Sequence, residues 1–429
     1  MENKKPKILV VTVSAWNDKV GSNTWSSLLE EYDSKNIANL CIRPQLPTSK
    51  IASRYFTISE NKVIKSILNP KIKTGTEVSA IKSENQTSDD LKEHNARYQK
   101  MKKNRRYSML MARELVWKFG KWRTSELDEF LDSFKPDIIL HSMEGYIHLN
   151  RIIEYAIKRT GAKAAGYIWD DNFTYKQSNK IGHNIYRFFQ RRSLKSLAKL
   201  TQEFFAISDM TKKEADEFFG INCHILTKPI KSVSTYSYKR PSLPIKMLYT
   251  GNLGIGRDKT LLALVNIINK YFANDFVIDV YTHTLLQDDV RDKLDCSVCK
   301  IHSAVSQSTA IAMQKQADIL LFLEDIDSDD ARTARLSFST KTTDYLSAGR
   351  TIFALGCKDT APMQYFIKNK CAITATNNIE VCEGLKKIVK DNDILVKYAK
   401  VAKQVGLKNH DKQKIQLIFD NVINKVCEE

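Results

Sequence analysis

Residues 246–257, Lys-Met-Leu-Tyr-Thr-Gly-Asn-Leu-Gly-Ile-Gly-Arg, decide how this 429-residue chain reads. An apolar strand runs into Gly251, Gly254 and Gly256, and an apolar-periodic helix follows. Glycine lets backbone N–H groups come close to an anion, and the N-terminus of the next helix adds a favourable dipole. Further on, residues 338–350, Phe-Ser-Thr-Lys-Thr-Thr-Asp-Tyr-Leu-Ser-Ala-Gly-Arg, open a second helix that leads into an apolar strand at 351–356. This helix start offers hydroxyls, a cation and a carboxylate. Together the two motifs predict a pocket for a nucleoside diphosphate carrying a further group, with a nucleotide-sugar as the leading reading.

Outward from this turn, strands and helices alternate, which argues for parallel sheets with ligands beyond the carboxyl ends of the strands. Strands are predicted at 8–13, 39–43, 136–141, 162–169, 203–207 and 223–228, then at 245–250, 276–282, 299–302, 318–323, 351–356 and 371–375. One helix is predicted over roughly 108–133. The Ser/Pro-containing stretch 231–244 reads as a linker. The expected architecture is two Rossmann-like, doubly wound α/β domains facing a cleft. The first covers 1–235 and the second 245–400, with a C-terminal helix at 401–429 packing back on the first. Residues 60–106 are polar and weakly periodic, and read as an insertion or mobile excursion in the first domain.

Apolar residues make up 42% and charged residues 27% of the chain, as in ordinary globular proteins. No run approaches the roughly 18 apolar residues of a membrane span. The strand at 8–13 is too short for a secretory signal and lacks a small-residue cleavage pattern. The eight cysteines are scattered, which predicts free thiols in a reducing cytoplasm. Cys296 and Cys299 have metal-type spacing, but no second Cys/His pair follows, so no metal is expected.

The net charge of +18 is concentrated. Residues 97–125 hold ten Lys/Arg against Glu114 alone, and residues 176–199 hold seven with no acid. Aromatic and aliphatic residues, Trp117, Phe119 and Trp122 among them, interleave with the first run. Basic amphipathic helices of this kind suit an anionic membrane surface, although a solvated helix face is the ordinary alternative. No nucleic-acid partner is expected, since zinc-finger spacing, an RNA-recognition signature and basic-zipper heptads are all missing.

The glycine order, GxxGxG, differs from the GxGxxG of dinucleotide sites, and the nearest candidates for a ribose-binding acid downstream are Asp275 and Asp279, the latter inside a predicted strand. A nicotinamide-dependent oxidoreductase is therefore a minor alternative. Arg257 could grip a diphosphate with its planar fork, and Lys259 could add a second charge. In the second motif Ser339 and Thr340 can simply cap the helix. Lys341 and Asp344 lie three apart, so they could equally pair with each other on one helix face.

On the glycine turn and the Ser-Thr-Lys…Asp-Tyr-Leu…Gly helix, the chain resembles GT-B-fold glycosyltransferases similar to family 4. Tyr167–Asp171, Phe205–Asp209 and Thr227–Ile230 fit the same pattern. The resemblance implies that Asp344 binds the nucleotide ribose and that Arg257, Lys259 and Lys341 face the diphosphate. Gly251, Asn252, Gly254, Gly256, Ser339 and Thr340 would complete the donor site. It further implies sugar transfer without a cofactor or metal, with retention at the anomeric carbon. Two positions depart from the family pattern. Leu336 stands where the first of two glutamates is usual, and Asn252 replaces a basic residue after the first glycine.

On the acceptor side, His141, Glu144 and His148 follow the predicted strand at 136–141, with His141 the candidate to touch an acceptor hydroxyl. A buried structural histidine is the equal alternative. Gly21 and Thr24 are expected in a loop near the acceptor. The expected partners are thus a nucleotide-sugar donor, a lipid-linked or oligosaccharide acceptor, and an anionic membrane at the inner face of the plasma membrane. The setting would be cell-surface polysaccharide assembly, such as capsule or lipopolysaccharide. A GT-B-fold sugar-nucleotide epimerase and a catalytically silent scaffold are the remaining alternatives.

Overall fold

The computed structural model describes residues 5–16, 24–44, 46–80, 90–93, 95, 107–230, 238, 241–326, 328–391 and 393–428. It divides into two compact units, Met1–Leu226 with Gln416–Glu429, and Thr227–Ile415.

Unit 1 is built on an eight-stranded sheet among the described residues. Its elements are β1 (Ile8–Thr12), α1 (Thr24–Leu29), β2 (Ile37–Cys41), β3 (Arg54–Ile58), α2 (Glu60–Ser66), β4 (Gly75–Val78), α3 (Tyr107–Phe119) and α4 (Ser125–Phe134). They continue with β5 (Ile138–Ser142), α5 (Ile147–Thr160), β6 (Lys163–Ile168), α6 (Ile181–Ala198), β7 (Glu203–Ala206), α7 (Asp209–Phe219) and β8 (His224–Ile225). The strand order is β4-β3-β2-β1-β5-β6-β7-β8, antiparallel only between β3 and β4. Chain order reverses at β1, where β2 lies on one side and β5 on the other. Such a switch point opens a crevice at the carboxyl edge of a doubly wound sheet. The central strands are buried throughout and largely apolar, as strands covered on both faces are.

Unit 2 carries β9 (Ile245–Thr250), α8 (Arg257–Tyr271), β10 (Phe276–Thr282), α9 (Asp288–Leu294), β11 (Cys299–Ser303), α10 (Gln307–Gln314) and β12 (Ile319–Leu323). After these come α11 (Ser328–Thr333), α12 (Thr340–Ala348), β13 (Thr351–Leu355), α13 (Ala361–Asn369), β14 (Ile373–Ala375), α14 (Asn378–Lys390) and α15 (Asp393–Asn409). Its sheet, β11-β10-β9-β12-β13-β14, is parallel throughout, and the switch point falls at β9. One core layer gathers Leu261, Leu264, Val265 and Ile268 of α8 against the sheet, and the other gathers Tyr345, Leu346 and Phe366. The last helix, α16 (Lys412–Glu428), belongs to unit 1 from Gln416 onward. There Gln416 donates to the Leu28 carbonyl at 3.1 Å, and Phe419 packs edge-on against Trp25, with ring centroids 6.1 Å apart.

Three sequence expectations need correction. The first part of the stretch read as an insertion is folded, since it holds α2 and β4, with Glu60, Asn61 and Val63 buried. Its polar residues misled because they are paired inside the unit. Residues 81–89 and 96–106 lie outside the described residues. The helix read over 108–133 is two helices, α3 and α4. Gly120 ends the first where a Cβ would sit 2.5 Å from Val63, and Thr124 caps the second by accepting from the Leu127 N–H. The strand β3, not read from sequence, pairs parallel to β2.

Candidate functional site

The glycine turn of unit 2 lies beyond the carboxyl end of β9, at the switch point of its sheet. Gly251 adopts φ +136° and Gly256 φ +73°, so both need the freedom that glycine alone has. A Cβ on Gly251 would sit 2.5 Å from Cε and Nζ of Lys341, and one on Gly256 would sit 2.4 Å from Cγ of Asp325. The turn is therefore shaped to bring Lys341 against the backbone of Gly251.

Lys341 comes from the first turn of α12, where the Ser339 side chain caps by accepting from the Lys341 N–H at 3.3 Å. Thr340 is the exposed first residue of that helix. The Lys341 ammonium donates to the Tyr249 hydroxyl at 2.8 Å, and that hydroxyl donates in turn to the Asn252 carbonyl at 2.5 Å. Burial, and next the neighbouring Arg257 charge, pull the Lys341 pKa down to about 7 against the pull of Glu324 and Asp344. Asn252 has its own task. Its Oδ1 accepts from the Gly254 N–H at 2.6 Å and from the Thr284 hydroxyl at 2.9 Å, which fixes the turn that carries a cation in the family it resembles.

The structure settles the two readings of Lys341 and Asp344 on the side of separate partners. Asp344 pairs with Lys228 at 2.7 Å, and Lys341 pairs with Tyr249. Both line a cavity of about 200 Å³ with Thr250, Gly251, Tyr281, His283, Ile311 and Gln314. Tyr281 stacks on His302 at 4.5 Å, and His302 is held by Asp279 at 2.8 Å. The cavity thus offers a cation at the glycine turn, a carboxylate one turn along α12, and an aromatic ring. That combination can hold a nucleoside diphosphate.

Arg257 departs from expectation. It opens α8, but its Nη2 is paired with both oxygens of Glu324 at 2.8 and 3.0 Å. Its Nε donates to the Leu323 carbonyl at 3.1 Å, and Nη1 to the Gly254 carbonyl at 3.4 Å. The guanidinium ties the glycine turn to the end of β12, so here it positions the turn. Glu324 is buried, although the acidic run that it opens, 324–330, reads from sequence as a solvated loop. Its place at a strand end was the signal available. Lys259 is exposed on α8, and Leu336 is fully buried.

The acceptor-side expectations are placed in unit 1. His141 lies on the central strand β5 with 0% exposure, and its Nε2 is hydrogen-bonded to the Thr201 hydroxyl at 3.0 Å. Burial pulls its pKa down to about 4. It is a core histidine, a correction to the catalytic expectation, because it has no surface to offer a substrate. His148 is likewise buried, stacked on Trp117 at 4.7 Å and bonded to Glu114 at 2.9 Å. Glu144, just beyond β5, is partly exposed, and burial together with Asp170 pushes its carboxyl up to about 7. Thr24 is buried in α1, and Gly21 lies outside the described residues. Among the described residues no three His, Cys, Asp or Glu side chains gather as metal ligands.

No protein-family profile matches the chain, and no curated protein does. Among solved structures, Anabaena HepE in complex with UDP is similar, with a TM-score of 0.63 at 9% identity over 98% of this chain and 100% of that one. Sucrose-phosphate synthase from Thermosynechococcus elongatus gives a TM-score of 0.61 at 8% identity, covering 98% and 99%. An α,α-trehalose 6-phosphate synthase from Burkholderia multivorans gives 0.57 at 8% identity, covering 99% and 98%. The two α/β units of this chain, parallel except at the β3–β4 edge, have the fold of GT-B glycosyltransferases.

Proposed function

We propose that this protein transfers a sugar from a nucleotide-sugar, with a UDP-sugar the first donor to test, to a lipid-linked or growing saccharide acceptor. The observation that carries this is the placement of Lys341 and Asp344 around one cavity at the Gly251 turn. Breaking the anomeric C–O bond leaves negative charge on the nucleoside diphosphate. Lys341, on the wall of the cavity, stands ready to stabilise it. The likeness to a UDP-bound structure supports the donor class. Retention at the anomeric carbon, independence of metal and a role in surface-polysaccharide assembly are part of the same reading. The test is release of nucleoside diphosphate from a panel of UDP-, GDP- and ADP-sugars with candidate lipid-linked acceptors. Release that is lost in Lys341→Met supports the reading. A nicotinamide-dependent absorbance change in place of release would support the oxidoreductase alternative.

We also propose that unit 1 rests on an anionic membrane through α3 and α6. On α6, Ile181, Ile185, Phe188 and Phe189 form one exposed stripe that continues into exposed Arg192, Lys195 and Lys199. The adjacent α3 exposes Leu115 and Phe119, while Trp117 and Trp122, expected at the lipid, are in the core. An apolar stripe bordered by cations fits an anionic lipid surface. Among the described residues no helix is long and apolar enough to cross a membrane. Co-sedimentation with phosphatidylglycerol vesicles that falls with Phe188→Ser/Phe189→Ser would support this. Equal recovery with neutral and anionic vesicles would remove it.

A further inference from the structure

The face of α6 turned into unit 1 is polar where a core helix is ordinarily apolar. Its side chains hold the loops that follow β5 and β6. Tyr186 and Gln190 both donate to the Gly145 carbonyl, at 3.5 and 2.7 Å, and Arg191 donates to the Phe173 carbonyl. Gly145 has no room for a side chain, since a Cβ would lie 2.5 Å from Nε2 of Gln190. Both loops stand at the carboxyl ends of parallel strands, where a doubly wound sheet binds its ligands.

Arg187 sits in the middle of this face and is 3% exposed. Its Nη2 donates to Oε1 of Gln177, a neutral amide, while Nε and Nη1 have no hydrogen-bond acceptor. The nearby carboxylate of Asp171 is already engaged by the Thr174 N–H at 2.9 Å and the Thr174 hydroxyl at 2.5 Å. A guanidinium stays charged in a protein interior, so a buried one with two nitrogens unsatisfied calls for an anion. Planar N–H arrays of this kind match phosphate oxygens. Arg257 of unit 2 makes the contrast, because its fork is closed by Glu324.

We propose that Arg187 anchors an oxyanion site in unit 1 which receives the phosphate or pyrophosphate of the acceptor. The proposal rests on the transferase reading, since the acceptor is what brings the anion. It gives that acceptor a chemical class, a phosphate-bearing saccharide or saccharide carrier. It also gives α6 two faces with one purpose. The outer stripe would meet the lipid surface, and the inner arginine would meet the phosphate that a lipid-linked acceptor carries. A bare phospholipid headgroup offers the same chemistry, so the test separates the two sources.

The experiment titrates inorganic pyrophosphate by calorimetry into the full chain saturated with UDP, which occupies the unit 2 site. Wild type should show a further pyrophosphate site. Arg187→Met should weaken it at least tenfold while binding UDP and phosphatidylglycerol vesicles as before. Gln177→Glu, which gives Arg187 an internal carboxylate, should weaken it similarly in a chain at least as stable as wild type. This second variant decides the matter if Arg187→Met fails to fold. No pyrophosphate binding in wild type, or unchanged binding in the variants, would overturn the site. Loss of vesicle binding alone in Arg187→Met would also overturn it, because the arginine would then be reading headgroups. If UDP fails to bind, the transferase reading falls separately, and the pyrophosphate comparison between wild type and variants still decides this site.

Discussion

Lys341 Nζ donates to the Tyr249 hydroxyl at 2.8 Å and lies 4.3 Å from the centroid of the same ring. The phenol takes the ammonium's hydrogen bond without neutralising it. With Arg257 engaged by Glu324 and Asp344 by Lys228, Lys341 is the cation of this cavity that an incoming diphosphate would neutralise.

Its titration makes a pH prediction. The Lys341 pKa is lowered from 10.5 to about 7, so between these limits the unfolded chain binds the proton that the empty native site lacks. This group's contribution to stability therefore rises with pH across that window. A bound diphosphate has the opposite preference, because it favours the ammonium. Affinity for a nucleoside diphosphate should fall as pH rises through 7, approaching about tenfold per pH unit. Calorimetry across this range checks it, and Lys341→Arg should flatten the dependence.

Arg257 and Glu324 are both largely buried, at 16% and 7% side-chain exposure. Arg257→Ala leaves an unpaired buried carboxylate and should destabilise unit 2 by about 3–5 kcal/mol. Sequence alone had assigned Arg257 to the diphosphate. Urea denaturation of Arg257→Ala, Glu324→Gln and the double variant checks this. The double variant should recover most of the loss.

Gly251→Ala should separate binding from folding. The new methyl must displace the Lys341 side chain, since its position lies 2.5 Å from Cε and Nζ, and φ +136° adds strain of about 1–3 kcal/mol. We expect a folded chain whose nucleoside-diphosphate affinity drops at least tenfold. Thermal denaturation and calorimetry on the same sample measure both.

Two core histidines predict acid lability in each unit. Burial pulls His141 in unit 1 and His410 in unit 2 down to about 4. The unfolded chain protonates them near 6.5, so stability is lost as pH falls from about 6.5 towards 4, by up to about 3 kcal/mol for each. His141→Asn should remove part of this loss from unit 1, as read by denaturation midpoints at several pH values.

Much of the fold was legible in the chain because its cues are local. The apolar runs of β1, β5, β9 and β13, and the glycines of the 246–257 turn, act within a few residues of where they stand. Lys341 and Asp344 stood out in the second motif, but only the family resemblance gave them a role, since their spacing fits a mutual pair equally well. What escaped was set by distant partners. Glu60 is buried because Arg113 and Trp117 reach it from α3, so a polar stretch folded where an insertion was expected. Lys228 meets Asp344 across more than a hundred residues, and Glu324 claims Arg257 across 67. No spacing rule shows such pairs, and none shows that β5 turns His141 into the core.

The most direct test of the account is calorimetric titration of UDP into wild type and Asp344→Ala. The Lys228–Asp344 pair is partly exposed, so its loss should cost under about 1 kcal/mol of stability and leave the fold intact. The account predicts saturable UDP binding to wild type that is weakened at least tenfold in the variant. Equal binding to both would place the nucleotide elsewhere, and no binding of UDP, GDP or ADP to wild type would contradict a nucleotide-sugar transferase.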